Sequence, residues 1–299
     1  MALGDVQITI ITPCLNGADF VRGAIDSVLR QDNGINIEHI VLDAGSTDDT
    51  RNILSEYSSL RIVAEPDKGS HDAMNKGLRM ARGGIIGFLN TDDFYQEGAF
   101  AAVVREFSRE PELDMLCLSH EVCSEDGATL DQGSLKMDGL RLEELSMGVP
   151  AFNSRFFRRR LFVDVGEFNI TYDFAADREF LIRCALSGVI SKTLPLKGYT
   201  YCKHKGSRTL SPCRSALEAM INEHARMASY FSGLSGISLK ERQIFNSWKI
   251  MEALRMVKCL LCQQRGTDAC KAMLGSLRED PEWIRSLLRG MCIRWGITE

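Results

Sequence analysis

In the first third of the chain, short apolar runs alternate with segments whose apolar residues recur every three or four positions. The runs are rich in β-branched residues, which favours strands, whereas the recurring spacing favours helices that pack through one face. Strand and helix units joined by short connections predict a doubly wound α/β fold, in which a parallel sheet has right-handed crossovers. The predicted strands are 6–12, 37–42, 60–64 and 85–89, and the predicted helices are 20–29, 72–81 and one that Ser46 would cap.

From residue 216 onward the hydrophobic pattern is helical. The last predicted helix has one apolar face with Arg285, Arg289 and Arg294 beside it. Such a helix can lie on a membrane surface, or it can pack on its own domain or on a partner subunit. The sequence leaves these alternatives open. The face consists of Ile284, Leu287, Leu288, Met291, Cys292 and Trp295.

Composition and charge narrow the class of protein. The 299 residues are 44% hydrophobic and 25% charged, which is enough for a large core in one or two domains. A net charge of −4 and the lack of a basic stripe disfavour nucleic acid as a partner. The sequence has no signal-peptide pattern and no apolar run long enough to span a bilayer. Its 10 cysteines are scattered along the chain, which suits the reduced thiols of a cytosolic protein. We therefore expect a cytoplasmic protein, with peripheral contact at the inner face of the membrane as the alternative raised by the last helix.

The strongest sign of chemistry is an apolar strand that ends on two adjacent carboxylates, Asp92 and Asp93. Ligands of open α/β sheets bind at the carboxyl ends of the strands, where two carboxylates can hold a divalent cation against a phosphorylated ligand. Each aspartate could instead serve only a turn or a helix cap. The other three predicted strands also end in residues suited to this edge, namely Thr12 and Pro13, Asp43, and Asp67 and Lys68.

The sequence contains no glycine-rich phosphate loop. Neither GxGxxG after the first strand nor GxxxxGK[ST] is present, which disfavours a Rossmann dehydrogenase and a P-loop NTPase. A phosphorylated ligand would therefore have to be held by a metal and side chains.

Four consecutive segments resemble, in order and spacing, the motifs of family 2 glycosyltransferases with the GT-A fold. They are ITIITPCLN at 8–16, VLDAGSTD at 41–48, the segment 65–77 from EPDKG to NKG, and LNTDD at 89–93. The segment 156–188 resembles the family's acceptor half, and the resemblance fades beyond about residue 211. It implies a GT-A-type, mostly parallel sheet with a C-terminal helical extension. The implied domains are a transferase domain at 1–210, with a nucleotide-sugar-binding half at 1–95 and an acceptor half at 96–210, and a helical region at 211–299.

The resemblance also implies a metal site. Asp92 and Asp93 match the family's metal-binding motif, whose first position is Asn90 here instead of the commoner aspartate. Mg²⁺ or Mn²⁺ held there would bridge a diphosphate and stabilise the charge on the leaving nucleoside diphosphate. The segment from Lys203 to Arg208 is similar to a mobile loop that closes over the diphosphate in related transferases. Its His204 would complete the metal coordination, or it is an ordinary surface histidine.

Contacts to the nucleotide sugar are implied by the same matches. Pro13 and Asp43 would line the pocket for the base and the ribose, with Asp43 accepting hydrogen bonds. Asp67, Lys68 and Asn75 match the third motif, and Asp92 would also face the donor. Lys68 either touches the diphosphate or is a solvated loop cation.

Asp177, at the start of a predicted helix, is the candidate catalytic residue. The resemblance implies that it is the general base that deprotonates the acceptor hydroxyl, so that the configuration of the sugar inverts. The rival assignment makes Glu179 the base and Asp177 a helix cap. Arg178 and Arg183 either orient carboxylates and acceptor charge or lie on a solvated face.

The function predicted from these matches is that of a metal-dependent inverting glycosyltransferase in polysaccharide biosynthesis. The donor is expected to be a UDP-sugar, and the acceptor a hydroxyl of a glycan or a lipid-linked saccharide. A sugar-nucleotide pyrophosphorylase would need a glycine-rich loop where residues 12–16 stand. The rival of another class is a catalytically inert nucleotide- or glycan-binding module of the same fold, which would not need a base opposite a metal site.

Overall fold

A computed structural model describes residues 7–31, 34–131, 140–207, 212–279 and 282–295. Val6, Arg208, the predicted domain boundary at 210/211 and the side chain of Trp295 lie outside this description. The strands are β1 (Ile8–Cys14), β2 (Ile37–Asp43), β3 (Leu60–Ala64), β4 (Ile85–Phe88), β5 (Phe94–Tyr95), β6 (Met115–Ser124), β7 (Thr129–Asp131), β8 (Arg155–Arg158) and β9 (Ser191–Lys203). The helices are α1 (Val21–Leu29), α2 (Thr50–Ser55), α3 (Ser70–Met80), α4 (Ala99–Arg109), α5 (Leu142–Met147), α6 (Leu161–Asp164), α7 (Ala176–Leu186), α8 (Arg214–Gly233), α9 (Leu239–Cys262), α10 (Gly266–Glu279) and α11 (Trp283–Trp295).

The described strands form one mixed sheet in the order β3-β2-β1-β4-β8-β6-β9-β5, with β7 paired to β6. Strands β1 to β4 are parallel neighbours connected through α1, α2 and α3, as the alternating pattern predicted. The long pairing of β6 with β9 is also parallel, whereas β5, β7 and β8 run antiparallel to their neighbours. The predicted α/β class, with a mostly parallel sheet and a helical C-terminal region, is confirmed.

Strand β1 is buried on both faces, which is why its sequence is a continuous apolar run. Ile10 belongs to the core cluster that includes residues of α1 and α4. Ile11 packs against α3, where Gly77 allows close approach: a Cβ on that glycine would lie 2.5 Å from Ile11 Cγ2. The edge at the end of β1 is therefore held between two helical layers.

The start of α2 differs from its prediction. Ser46 does not cap the helix; Asp49 occupies the N-cap position, without a side-chain cap bond, and α2 begins at Thr50. The Ser46 hydroxyl instead donates to Asp43 Oδ1 at 2.5 Å. A short hydroxyl side chain bonds readily to a nearby carboxylate, and the periodicity of the helix does not reveal that competing acceptor.

The chain forms two compact units. The first comprises Met1–Gly139, Ala151–Ala176 and Leu186–Lys205 and contains the whole sheet. The second comprises Leu140–Pro150, Asp177–Ala185 and Gly206–Glu299, and its described elements are helices that pack around α9. None of the helices in the described ranges is long and apolar enough to cross a lipid bilayer.

Gly83, in the connection between α3 and β4, provides a test of the packing of this connection against β1. A Cβ on Gly83 would lie 2.5 Å from the main-chain nitrogen of Thr9 and 2.7 Å from the carbonyl carbon of Ile8. Because these are main-chain atoms of a central strand, we expect Gly83→Ala to lower the free energy of unfolding by roughly 2 kcal/mol or more. Urea unfolding measures this loss. Gly84→Ala is the matched control, since nothing lies within 4 Å of its Cβ position; equal losses in the two variants would contradict the packing described.

His39 in β2 is buried, and only one of its ring nitrogens has a hydrogen-bond partner among the described residues. Nε2 lies 2.9 Å from Thr12 Oγ1, whereas the buried Nδ1 has no hydrogen-bond partner among the described residues. Burial lowers the pKa of His39 to about 3, because the charged ring would lose its hydration.

This shifted pKa predicts a loss of stability in mild acid. The unfolded chain binds a proton at His39 with a pKa of about 6.5, so between about pH 6.5 and 3 the unfolded state holds more protons than the folded state. Stability should fall as the pH falls through that window, by about 2 kcal/mol for this residue at about pH 5. Urea unfolding near pH 7.5 and near pH 5 should show a smaller acid loss for His39→Gln than for the parent chain. If the free energy of unfolding depended on pH identically in both proteins, His39 would not be the source of the acid loss.

Candidate functional site

The loops that follow β1 and β2 are joined by hydrogen bonds from main-chain N–H groups to side chains. Asn16, at a positive φ of 50°, accepts the N–H of Thr47 through Oδ1 at 2.8 Å, and its own N–H donates to Ser46 Oγ at 2.8 Å. The N–H of Gly17 donates to Thr50 Oγ1 at 2.9 Å. Asparagine tolerates this left-handed conformation better than most residues, which was the available sequence signal. Sequence reasoning missed the roles of Asn16 and Ser46 in shaping this edge.

Asp43 lies at the end of β2, beside the end of β1. The register pairs Asp43 with Cys14 and Pro13 with Leu42, so Pro13 and Asp43 share one edge of the sheet. Asp43 is buried; Oδ1 accepts both the N–H and the O–H of Ser46, and Oδ2 accepts Arg51 Nε at 2.8 Å. Burial tends to raise the pKa of Asp43, but these hydrogen bonds hold it below its usual value. Asp43 is therefore an anchored carboxylate at the end of β2.

The third motif contributes one buried and two more accessible side chains. Asp67 accepts the N–H of Gly69 at 2.8 Å, and Lys68 beside it is exposed. Asn75 is 4% exposed. Its amide donates to the Phe168 carbonyl and accepts the Phe168 N–H, both at 2.9 Å. Asn75 thus holds the segment that precedes α7, whereas Lys68 faces solvent.

The residues after β4 and β9 meet through Asp92 and His204. His204 Nε2 lies 2.8 Å from Asp92 Oδ2, although the two residues are 112 positions apart in the chain. Both side chains retain access to solvent, at 12% for His204 and 26% for Asp92. The ring of Phe20 lies 4.6 Å from the His204 ring, measured between centroids. A carboxylate and an imidazole are therefore brought together at the same edge of the sheet.

Asp93 has different surroundings from Asp92. It is 3% exposed, and Oδ1 accepts the N–H of Cys202 at 2.9 Å. Oδ2 accepts the Tyr199 hydroxyl at 2.8 Å and the Asn90 amide at 3.1 Å. Burial and the neighbouring charge of Asp92 raise the pKa of Asp93 to about 8. Asp93 joins the segment after β4 to β9 and so brings Asp92 and His204 into contact; Asn90 supplies a donor where an aspartate would add another negative charge.

The site can be tested against the metal that the motif implies. Within the described ranges, no cluster of three or more His, Cys, Asp or Glu side chains is arranged to hold a metal ion. Asp92 and His204 nevertheless present one carboxylate oxygen and one imidazole nitrogen side by side. Mg²⁺ typically takes only one or two protein carboxylates and completes its shell with water and phosphate oxygens. The carboxylate of Asp92 and the imidazole of His204 therefore fit a divalent cation whose other ligands are water and the oxygens of a diphosphate.

The family model for Glycosyl transferase family 2 matches residues 9–178, which include the ends of β1 to β4 and Asp177. The chain belongs to glycosyl transferase family 2. A "PGL/p-HBAD biosynthesis glycosyltransferase" from Mycobacterium bovis is 32% identical to this transferase over 183 residues, covering 60% of this chain and 69% of the relative. The "Uncharacterized glycosyltransferase EpsJ" of Bacillus subtilis is 26% identical over 259 residues, covering 80% and 74%. The predicted family and the predicted enzyme class, a glycosyltransferase, are confirmed.

Solved structures support the fold of this transferase. S. aureus TarS 1-349 in complex with UDP-GlcNAc aligns with a TM-score of 0.60 at 16% identity, covering 91% of this chain and 89% of that one. A mannosyltransferase from Pyrobaculum calidifontis, in complex with GDP-Man and Mn²⁺, aligns with a TM-score of 0.58 at 16% identity, covering 98% and 88%. The GT-A-type fold predicted from the sequence is confirmed.

Asp177 and Glu179, the two rival bases of this transferase, differ in their partners. Asp177 lies in the first turn of α7, is partly exposed, and accepts the N–H of Arg178 through Oδ1 at 2.7 Å. Glu179 is 4% exposed, and both of its oxygens accept Arg183 Nε, at 2.9 and 3.0 Å. Its burial and its ion pair with Arg183, whose side chain is 24% exposed, leave Glu179 poorly placed to take a proton from a substrate. Asp177 is the more accessible carboxylate.

Arg178 is buried in the second unit and does not lie on a solvated face. Its guanidinium donates to the carbonyl oxygens of Leu145, Ser146 and Gly148 and lies 5.8 Å from the Trp248 ring centroid. Burial lowers the pKa of Arg178. The carbonyls at the end of α5 supply the acceptors that a buried guanidinium requires. Arg178 thereby fixes the first turn of α7, which carries Asp177.

Proposed function

We propose that this transferase moves a sugar from a nucleotide-sugar donor, first of all a UDP-sugar, to a hydroxyl of a glycan or a lipid-linked saccharide. We further propose that the reaction depends on Mg²⁺ or Mn²⁺ and inverts the configuration of the sugar. The contact between Asp92 and His204 at the carboxyl edge of the sheet carries this proposal. A solvent-accessible carboxylate and imidazole at that edge suit a cation shared with a diphosphate.

Donor binding is assigned to the half at 1–95, with Pro13 and Asp43 beside the nucleoside. The exposed ammonium group of Lys68 would contact the diphosphate, and Asp67 would hold the turn that carries Lys68 through its bond to the N–H of Gly69. Asn75 would support the same part of the site through its two hydrogen bonds to Phe168. Asp92 and His204 would hold the metal ion, with Asp93 securing both segments; direct ligation by Asp93 would require it to exchange its bonds to Tyr199 and Cys202. When bound, the ion supplies positive charge next to the leaving nucleoside diphosphate.

Acceptor activation is assigned to Asp177. Its carboxylate would accept the proton of the acceptor hydroxyl while the oxygen of that hydroxyl attacks the anomeric carbon. Attack from the face opposite the leaving diphosphate would invert the configuration. In this proposal the half at 96–210 binds the acceptor, and the helical region at 211–299 follows the transferase domain.

A thermal-shift screen of nucleoside diphosphates and nucleotide sugars, each with and without Mn²⁺, tests the donor class. A ligand that binds the folded state at about a hundred times its Kd stabilises that state by about 2.7 kcal/mol. We expect stabilisation by UDP or GDP compounds that grows when Mn²⁺ is added, with the matching nucleosides as controls. If no nucleotide raises the melting temperature with or without Mn²⁺, the proposed donor class is wrong.

A further inference from the structure

Helix α11 contacts α9 through its small residues. Ser286 and Gly290 are one turn apart and both are buried. A Cβ on Gly290 would lie 2.8 Å from Met251 Cγ and 3.3 Å from the Ser247 carbonyl oxygen. The small side chains therefore allow the two helices to approach closely, and they fix which side of α11 faces its own unit.

The large apolar residues of α11 lie on the opposite side. Ile284 is 56% exposed and Leu288 is 57% exposed. These residues are four positions apart and therefore neighbours on one helix face, and Leu287 and Met291 are partly exposed beside them. A helix that only packs on its own domain normally turns its bulky apolar residues inward. In α11 Ile284 and Leu288 point outward, whereas Ser286 and Gly290 are buried.

The exposed stripe is flanked by positive charge. Residues 283–295 contain three arginines, Arg285, Arg289 and Arg294, and no aspartate or glutamate, so this helix carries a charge of +3 in a chain whose net charge is −4. Arg285 pairs with Glu282 at 3.2 Å, but the two side chains are 76% and 66% exposed, so water screens the pair. An apolar stripe bordered by arginines is typical of helices that lie in the interface of an anionic bilayer.

We propose that this face of α11 docks on an anionic membrane surface. Ile284 and Leu288 enter the boundary between the head groups and the acyl chains, and the arginines contact lipid phosphates. A second copy of the chain fits less well, because a standard protein interface buries about 800 Å² per partner, more than one narrow helical stripe supplies. Docking needs neither a donor nor an acceptor, so it can hold or fail independently of the proposed chemistry.

Co-sedimentation of the full chain with vesicles tests the docking. We expect binding to phosphatidylcholine vesicles that contain about 30% phosphatidylglycerol, little binding to pure phosphatidylcholine, and release at high salt. The double substitution Ile284→Ser with Leu288→Ser should weaken binding about tenfold or more, since it removes the inserted apolar side chains. Arg285→Gln with Arg289→Gln should weaken binding and reduce its salt dependence.

Two controls match these variants in exposure. Val163 on α6 in the first unit is 83% exposed, and Lys240 at the start of α9 has an 80% exposed side chain. Val163→Ser and Lys240→Gln should bind anionic vesicles as the parent does. Equal binding by the α11 variants, or no binding to either vesicle, would overturn the proposal. A concentration-dependent dimer in sedimentation equilibrium that the double serine variant abolishes would assign the face to a second copy instead.

Discussion

Asp177→Asn is expected to lower kcat by a factor of about 10³ while leaving donor affinity unchanged, because asparagine cannot accept the proton of the acceptor hydroxyl. The amide keeps the size of the side chain and can still accept the N–H of Arg178, which is the bond that Asp177 makes in the first turn of α7. Release of the nucleoside diphosphate measures turnover, and calorimetric titration with the donor measures affinity. An unchanged affinity would separate loss of the base from loss of folding.

Glu179→Gln is the matched control on the same helix. Glu179 is buried and ion-paired with Arg183, so its substitution should lower stability more than it lowers kcat. If Glu179→Gln loses turnover and Asp177→Asn retains it, the rival base is the correct one.

Asp92→Asn is expected to weaken the Mn²⁺-dependent binding of a nucleoside diphosphate by about tenfold or more, because a neutral amide is a weaker ligand for a hard divalent cation. His204→Ala should act in the same direction, since the imidazole lies 2.8 Å from the same carboxylate. Calorimetric titration of UDP or GDP with and without Mn²⁺ gives the metal-dependent part of the affinity. The metal-independent part should persist, because Pro13 and Asp43 are unchanged.

Asp126→Asn controls for the loss of one negative charge, since Asp126 is an exposed residue that bonds to Ser124 in the turn after β6. It should leave nucleotide binding unchanged. Asp93→Asn should lower the melting temperature through its altered bonds to Tyr199 and Cys202. A full metal response in Asp92→Asn together with its complete loss in Asp93→Asn would make Asp93 the ligand in place of Asp92.

The sequence was most informative where burial determines the pattern. Strands β1 and β4 are almost completely buried, and their apolar runs end abruptly at the polar edge of the sheet. Parallel pairing then brings Pro13 and Asp43 to one edge without any further information. The four motif segments therefore predicted the fold, the family and the edge that carries the candidate site.

Local sequence patterns do not pair residues that lie far apart in the chain, and only the family resemblance suggested that His204 joins the site of Asp92. His204 meets Asp92 only because Asp93 bonds to Tyr199 and Cys202 of β9, and no local spacing encodes that pairing. Arg178 has the same sequence signal as a solvated arginine, because its acceptors are carbonyls of α5.

The orientation of α11 also depends on a contact between residues that are distant in the sequence, so the sequence did not predict it. Periodicity identified an apolar face, but the fit of Gly290 against Met251 decides which side turns inward. The helical pattern therefore predicted the element correctly and left its exposed side undetermined.

The most direct test of an inverting transfer that uses Asp177 as the base is time-resolved proton NMR of the hydrolysis of an α-linked nucleotide sugar, chosen from the stabilising donors, in the presence of Mn²⁺. Water then takes the place of the acceptor hydroxyl, and the first anomer released reports the geometry of the displacement. We expect that the β anomer appears first, that release of the sugar requires Mn²⁺, and that Asp177→Asn abolishes this release. Initial release of the α anomer would contradict an inverting displacement with Asp177 as the base.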